Sequence, residues 1–296
     1  MSSADAPVVV AVDGSVEALN AARWAALAAA RLHRDLHIVS AVHPFSPQFS
    51  FAGLSAEDAA IRAARAFAET ATQTATDLAA EVAPDVTAHR HIVEGRAALV
   101  LRDASTRAHL LVVGRRGLGG VQGLLMGSVS TDITAHANCP VVVVPGRDDA
   151  VDDRPGTGPV VVGVDDSPLS ESVIAHGFDQ AASLGTSLTA VHAYGGLTGE
   201  EFYDDPSVLE RARTEADETL AEHLAAYADD FPGVETTTVI TAGTPADEIN
   251  RIAADAQLVV IGSRGHGGFR GLLLGSTSQA VLQVAGCPVM VVHEDR

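Results

Sequence analysis

Val8-Val9-Val10-Ala11-Val12-Asp13-Gly14-Ser15 is the stretch that decides the fold, because it returns as Val160-Val161-Val162-Gly163-Val164-Asp165-Asp166-Ser167. Each is a nearly continuous β-branched run that stops on an aspartate, the pattern of a strand buried on both faces of a parallel sheet. Other segments return at a similar distance. Ala41-Val42-His43 recurs as Ala190-Val191-His192, Leu111-Val112-Val113-Gly114 as Val259-Val260-Ile261-Gly262, and Cys139-Pro140-Val141 as Cys287-Pro288-Val289. The spacing is about 150 residues throughout, so one domain is written twice and a short-period solenoid is excluded. The polar, acidic stretch between the copies is rich in turn formers and reads as a linker. The expected division is a domain over residues 1–146, a linker over 147–158 and a second domain over 159–296.

Working outward, strands at Val8–Val12, Leu36–Val42, Val86–Val93, His109–Val113 and Val141–Val144 alternate with helices at Val16–His33, Ala56–Val82, Arg96–Thr106 and Ser128–Ala137. The second copy places its strands near Val160, Leu188, Thr236, Leu258 and Val289, with a charged, solvated helix over Asp205–Asp230. This alternation predicts an α/β protein of two tandem, doubly wound, five-stranded parallel-sheet domains of Rossmann-like type with right-handed crossovers. Such sheets bind ligands beyond the carboxyl ends of the strands, where strand order reverses. Attention therefore falls on the residues after strands one, two and four.

The 296 residues suit two domains. Asp and Glu total 38 against 19 basic residues, a net charge of −19, and every basic residue is arginine. Without lysine there is no P-loop ammonium and no Schiff-base amine. So acidic a chain is a poor binder of nucleic acid or anionic membranes, and 4% aromatics argues against a base-stacking platform. The two cysteines, Cys139 and Cys287, read as small buried thiols in a reducing compartment. With no basic leader and no apolar run near the ~20 residues of a membrane span, a cytoplasmic protein is expected.

After strand four comes Gly114-Arg115-Arg116-Gly117-Leu118-Gly119-Gly120, leading to Gly127-Ser128-Val129-Ser130. The second copy has Gly262-Ser263-Arg264-Gly265-His266-Gly267-Gly268, leading to Gly275-Ser276-Thr277-Ser278. Glycines suit positive φ or a close backbone approach to a ligand. Ser128 and Ser276 read as N-caps of a helix whose first amides and dipole form an anion site. Phosphates would then rest on backbone N–H groups, hydroxyls, and Arg115, Arg116 or Arg264. A dinucleotide fingerprint fits poorly, because Gln122 and Arg270 stand where a glycine is needed and the loop follows the fourth strand. Asp13 and Asp165, each followed two residues later by Ser15 or Ser167, suit ribose hydroxyls, an adenine amino group, a metal, or a helix N-cap. His43 and His192 suit either the flank of a base or a satisfied buried site. His89 and His91 share a strand face without a Cys/His pair at zinc spacing, so no metal site is assigned to them.

Gly-x-x-Gly, nine residues and Gly-Ser, present twice behind Val-Asp-Gly-Ser and Val-Asp-Asp-Ser, resembles the ATP-binding branch of the universal stress protein family in tandem form. The resemblance spans about Val8–Pro145 and Pro159–His293. It implies an adenine nucleotide alpha-hydrolase-like fold with ATP at the strand ends, usually with Mg²⁺. Carried over by position, Asp13 and Asp165 approach the adenosine, Ala41–Val42 and Ala190–Val191 flank the adenine, and Gly114–Gly120, Gly262–Gly268, Ser128–Ser130 and Ser276–Ser278 hold phosphates. Pairing through Val141–Val144 and Val289–Val292, within one chain or in a homodimer, is also implied. Ala11 opposite Gly163 is a departure, a methyl that would alter the first site. The function expected is regulation by bound ATP, with an unidentified protein partner. The rival is slow Mg-dependent ATP hydrolysis or phosphoryl transfer at the same sites. A phospho-receiver lacks its lysine here, and flavin binding lacks a hydroxyl-rich loop after strand one.

Overall fold

Aliphatic runs become parallel strands because they can bury both faces, and the amphipathic segments between them become the helices that cover those faces. The computed structural model describes residues 6–43, 57–118, 126–146, 157–165, 167–194, 206–265 and 274–294. It holds two units that divide near Asp153.

In the first unit, β1 (Val8–Ala11), β2 (Leu36–Val42), β3 (Ala88–Glu94), β4 (Leu110–Gly114) and β5 (Val141–Val144) pair in parallel in the order β3-β2-β1-β4-β5. The connecting helices are α1 (Val16–Arg31), α2 (Glu57–Val82), α3 (Ala97–Ser105) and α4 (Ser128–His136). The second unit repeats the order as β8-β7-β6-β9-β10, with β6 at Val160–Val164, β7 at Leu188–Ala193, β8 at Thr236–Thr241, β9 at Leu258–Gly262 and β10 at Val289–Val292. Its helices are α5 (Leu169–Leu184), α6 (Pro206–Ala228), α7 (Pro245–Ile252) and α8 (Ser276–Val284).

In each unit the chain winds outward from its first strand, then crosses back to that strand's other side. Right-handed crossovers therefore place two helices on each face, and α1 packs on α2 while α3 packs on α4. The reversal falls between β1 and β4, and between β6 and β9. Those two crevices are where the sites are to be found.

α1 shows how the sequence makes the scaffold. Ser15 caps it, accepting from Ala18 N–H at 3.1 Å, and Ala18, Ala21, Ala22, Ala25, Ala28 and Ala29 line its buried face. Alanine combines high helix propensity with a small radius, so the helix sits close to the sheet. In the strands Val8, Val10, Leu36, Ile38, Leu111, Val112 and Val141 are fully buried, each worth about 1.5–3 kcal/mol. In the second unit Phe178, on the position of Ala26, is fully buried and stacks on Tyr227 and Phe231, with ring centroids 5.9 and 5.4 Å away.

The fold class is the one expected, with small shifts in element ends. β3 starts at Ala88 because Val86 N–H closes a turn onto Ala83 O at 3.1 Å. α6 presents Arg211, Arg213, Glu215, Asp217 and Glu218 to solvent and buries Ala216, Leu220 and Leu224. Among the described residues no helix is long and apolar enough to cross a membrane.

Cys139 and Cys287 are free thiols, both buried as expected. Burial pushes Cys139 up to about 12, outweighing the hydrogen bond to the Leu111 backbone that acts in the opposite sense. Since the thiolate is the reactive form, Cys139 should stay unmodified by a thiol reagent at pH 8 until denaturant unfolds its unit. Phe178→Ala should lower the stability of the second unit by about 3–5 kcal/mol, read from the midpoint of its denaturant transition.

Candidate functional site

β1 and β6 each run into an aspartate at the reversal of strand order. Asp13 Oδ1 accepts from Ser15 N–H, and Asp165 Oδ1 from Ser167 N–H, both at 3.0 Å. These Asx turns fix the direction of the carboxylates. In the first unit the second oxygen reaches the loop after β4, where Leu118 N–H donates to Asp13 Oδ2 at 2.8 Å. A Cβ on Gly117 would lie 2.2 Å from Asp13 Oδ2, and one on Gly265 would lie 2.2 Å from Asp165 Oδ2. A side chain at either position would push the carboxylate out of the place its backbone donors give it. Close approach, not a positive φ, is what demands glycine there.

Neither aspartate is a helix cap. Ser15 caps α1, and Pro168 stands at the cap of α5 without a side-chain bond. Asp165 gains a neighbour the sequence reading missed: buried Ser170, whose hydroxyl accepts from Asp165 N–H at 3.0 Å and lies 3.0 Å from Asp165 Oδ1. Its signal was a serine in the first turn of α5 where α1 has Ala18.

The helices behind the glycine loops correct a second expectation. Their N-caps are Gly127 (φ −72°, ψ 152°) and Gly275 (φ −65°, ψ 153°), with no side-chain cap bond, and Ser128 and Ser276 are the first helical residues. The first intrahelical bonds run from Thr131 N–H to Gly127 O and from Gln279 N–H to Gly275 O, both at 2.9 Å. The amides of Ser128, Val129 and Ser130, and of Ser276, Thr277 and Ser278, therefore have no acceptor within their own helix. Together with the helix dipole they form a positive nest. Gly127 N–H donates to Arg115 O, and Gly275 N–H to Ser263 O, each at 2.9 Å, folding the loop onto the helix start.

Ser130 and Ser278 are buried, and each hydroxyl donates at 2.7 Å to the strand-end carbonyl of Gly114 or Gly262. Their hydroxyl protons are spent on the scaffold, so only their backbone amides face the nest's task. Ser263 is buried as well, whereas Arg264 is exposed. Arg115 is half-buried, and burial pulls its guanidinium below the ordinary value while Glu17 raises it and Arg116 lowers it. Arg116 is exposed and pairs with Glu17, and Leu118 is exposed. Gly119, Gly120, His266, Gly267 and Gly268 lie outside the described residues.

The strand-two residues chosen from the repeated tripeptide are not equivalent. Val8 pairs with Leu36 and Val160 with Leu188, so Ala190 matches Ile38, Val191 matches Val39 and His192 matches Ser40. Ala41 and Val42 end β2, whereas Ala190 and Val191 are buried in mid-strand, and the positions matching Ala41 and Val42 are Ala193 and Tyr194. His43 is half-buried, and His192 is buried inside β7. The Ala11/Gly163 difference belongs to the core. A Cβ on Gly163 would lie 2.8 Å from Ile249 Cδ1 and 3.1 Å from Ile261 Cγ2, where the first unit has Leu101 and Val113. His89 and His91 share their face with His37, with ring centroids 5.1 and 4.7 Å from it, away from the crevice residues.

Gly127 has angles open to any residue, and a Cβ there meets only ordinary contacts, beginning at 3.5 Å from Arg115 O. Sterics do not demand this glycine. Its consequence is an uncapped helix start. Gly127→Ser should therefore be more stable than Gly127→Ala by about 1 kcal/mol, measured by chemical denaturation.

Residues 6–145 and 157–293 each match the Universal stress protein family. Universal stress protein Rv2005c of Mycobacterium tuberculosis is 36% identical over 294 residues, covering 97% of each chain. A universal stress protein of Mycolicibacterium smegmatis is 37% identical over 296 residues, covering 99% of this chain and 98% of the relative. The crystal structure of a universal stress protein from Archaeoglobus fulgidus covers 98% of this chain and 97% of its own, with a TM-score of 0.70 at 18% identity, a likeness of fold. With the duplicated match spanning nearly the whole sequence, the chain belongs to the universal stress protein family.

Proposed function

We propose that the chain is an ATP-binding regulatory protein of the stress response, with one nucleotide site in each domain. The observation that carries this reading is the twin cradle: a strand-end carboxylate pressed against a glycine where a Cβ would displace it, beside a helix start whose cap is a glycine. Gly114, Gly117 and the amides of Ser128–Ser130 would hold phosphates in the first domain. Gly262, Gly265 and the amides of Ser276–Ser278 would do so in the second. An ionised carboxylate has about four acceptor sites, so Asp13 and Asp165 retain lone pairs for ribose hydroxyls after meeting their backbone donors. Among the described residues no three His, Cys, Asp or Glu side chains are grouped to hold a metal. Mg²⁺ would accordingly come with the nucleotide, coordinated largely by phosphate oxygens and water.

Bound nucleotide signals only if two conformations differ in affinity for it.

Calorimetric titration of the full chain with MgATP should give two sites per chain. Gly117→Ala should weaken the first site and Gly265→Ala the second, each roughly tenfold or more and each without effect on the other, because the new Cβ displaces the aspartate. Absence of ATP, ADP and AMP binding to the wild-type chain would overturn the reading.

A further inference from the structure

Glu17 lies in the first turn of α1, beneath the glycine loop, and its carboxylate is already engaged. Arg116 backbone N–H donates to Oε2 at 2.5 Å, and Arg116 Nε donates to Oε1 at 2.8 Å. The Glu17 side chain is only 13% exposed. A carboxylate withdrawn this far from water is stable because its donors are charge-assisted and well placed.

Two glycines make the room. A Cβ on Gly114 would lie 2.9 Å from the Glu17 carbonyl, and one on Gly146 would lie 2.6 Å from Glu17 Cγ. The amide that Glu17 holds is at the nest: a Cβ on Gly127, the cap of α4, would lie 3.5 Å from Arg116 Cα. The second domain keeps the strand-end glycine, Gly262, and the arginine, Arg264, but not the carboxylate or the glycine at the position of Gly146. Leu169, buried, stands where Glu17 would be, and Glu294 replaces Gly146. Arg264 stands on the position of Arg116, and the matching residue for Glu17 is a leucine, which can accept no hydrogen bond.

We propose that Glu17 is a built-in anion that occupies the first cradle and makes the two halves unequal. ATP must displace this carboxylate from the Arg116 amide in the first domain and meets no such competitor in the second. The proposal rests on the nucleotide-binding reading above. Its consequence is graded occupancy: the second domain fills at low ATP, and the first responds only when ATP is higher.

The test is calorimetric titration of the full chain with MgATP, together with hydrogen exchange of the Arg116 amide. Wild type should show two unequal affinities. Glu17→Leu, which copies the second domain, should tighten the weaker site roughly tenfold or more, bringing the two together. The isosteric Glu17→Gln should tighten it by less, and Leu169→Glu should weaken the stronger site. Without ATP, the Arg116 amide should be protected in wild type, exchange faster in Glu17→Leu, and regain protection there when ATP is added. Two equal wild-type affinities would overturn the proposal and leave the nucleotide reading intact. So would Glu17→Gln and Glu17→Leu that both leave the weaker site unchanged or weaken it, which would make Glu17 a brace for the loop. No binding to wild type or to any variant would remove the nucleotide reading itself.

Discussion

The approach of an aspartate oxygen to within 2.2 Å of where a glycine Cβ would stand, repeated in both domains, is the constraint on which the site depends. It sets Gly117 and Leu118 against the end of β1, and Gly265 against the end of β6. The same loops bring Arg115 O to Gly127 N–H in one domain and Ser263 O to Gly275 N–H in the other. The helix start is thereby fixed relative to the strand end. Buried Ser130 and Ser278 tighten the same corner from below by bonding the last strand carbonyl. A polar group buried here without its partner would be costly, so each member of the corner holds the others in place.

The chemistry of the cradle follows from composition. On the proposed reading, a chain with a net charge of −19 and no lysine would have to hold an anion with groups that add little formal charge of their own. Backbone amides meet that need, because they do not titrate and their direction is set by the fold. The surrounding acidity repels a polyphosphate at long range, and that repulsion is screened by salt within about 10 Å at 0.1 M. The local dipole of α4 or α8 acts inside that distance. Arginine supplies the remaining positive charge, and in the first domain much of it is directed at Glu17.

The two domains keep one backbone while their interiors have drifted apart in compensated steps. Gly163 beside Ile249 and Ile261 answers Ala11 beside Leu101 and Val113, so a methyl moves from strand to neighbours. Phe178 with Tyr227 and Phe231 answers the alanine-lined face of α1 and α2. Interiors packed to crystal-like density accept changes of this kind when volume is conserved. The Glu17–Gly146 pair against Leu169 and Glu294 has the same form, yet it lies at the cradle and not in the core.

Duplication, the alternation of strand and helix, and the crevice between first and fourth strands are legible in the order of residues, because repetition and hydrophobic period are local properties that crossover handedness converts into topology. The paired aspartates and glycines are legible too, since both copies preserve them. Register and partnership emerge only in the folded chain. The tripeptide shared by Ala41–His43 and Ala190–His192 misled, because register is set by the pairing of Val8 with Leu36 and Val160 with Leu188, not by chance identity. Whether a serine caps a helix or bonds a strand end depends on the neighbouring turn, which placed Gly127 and Gly275 at the caps. Glu17 and Arg116 stand 99 residues apart, and no periodicity links them. Their meeting exists only once the sheet has brought the start of α1 beneath the loop after β4.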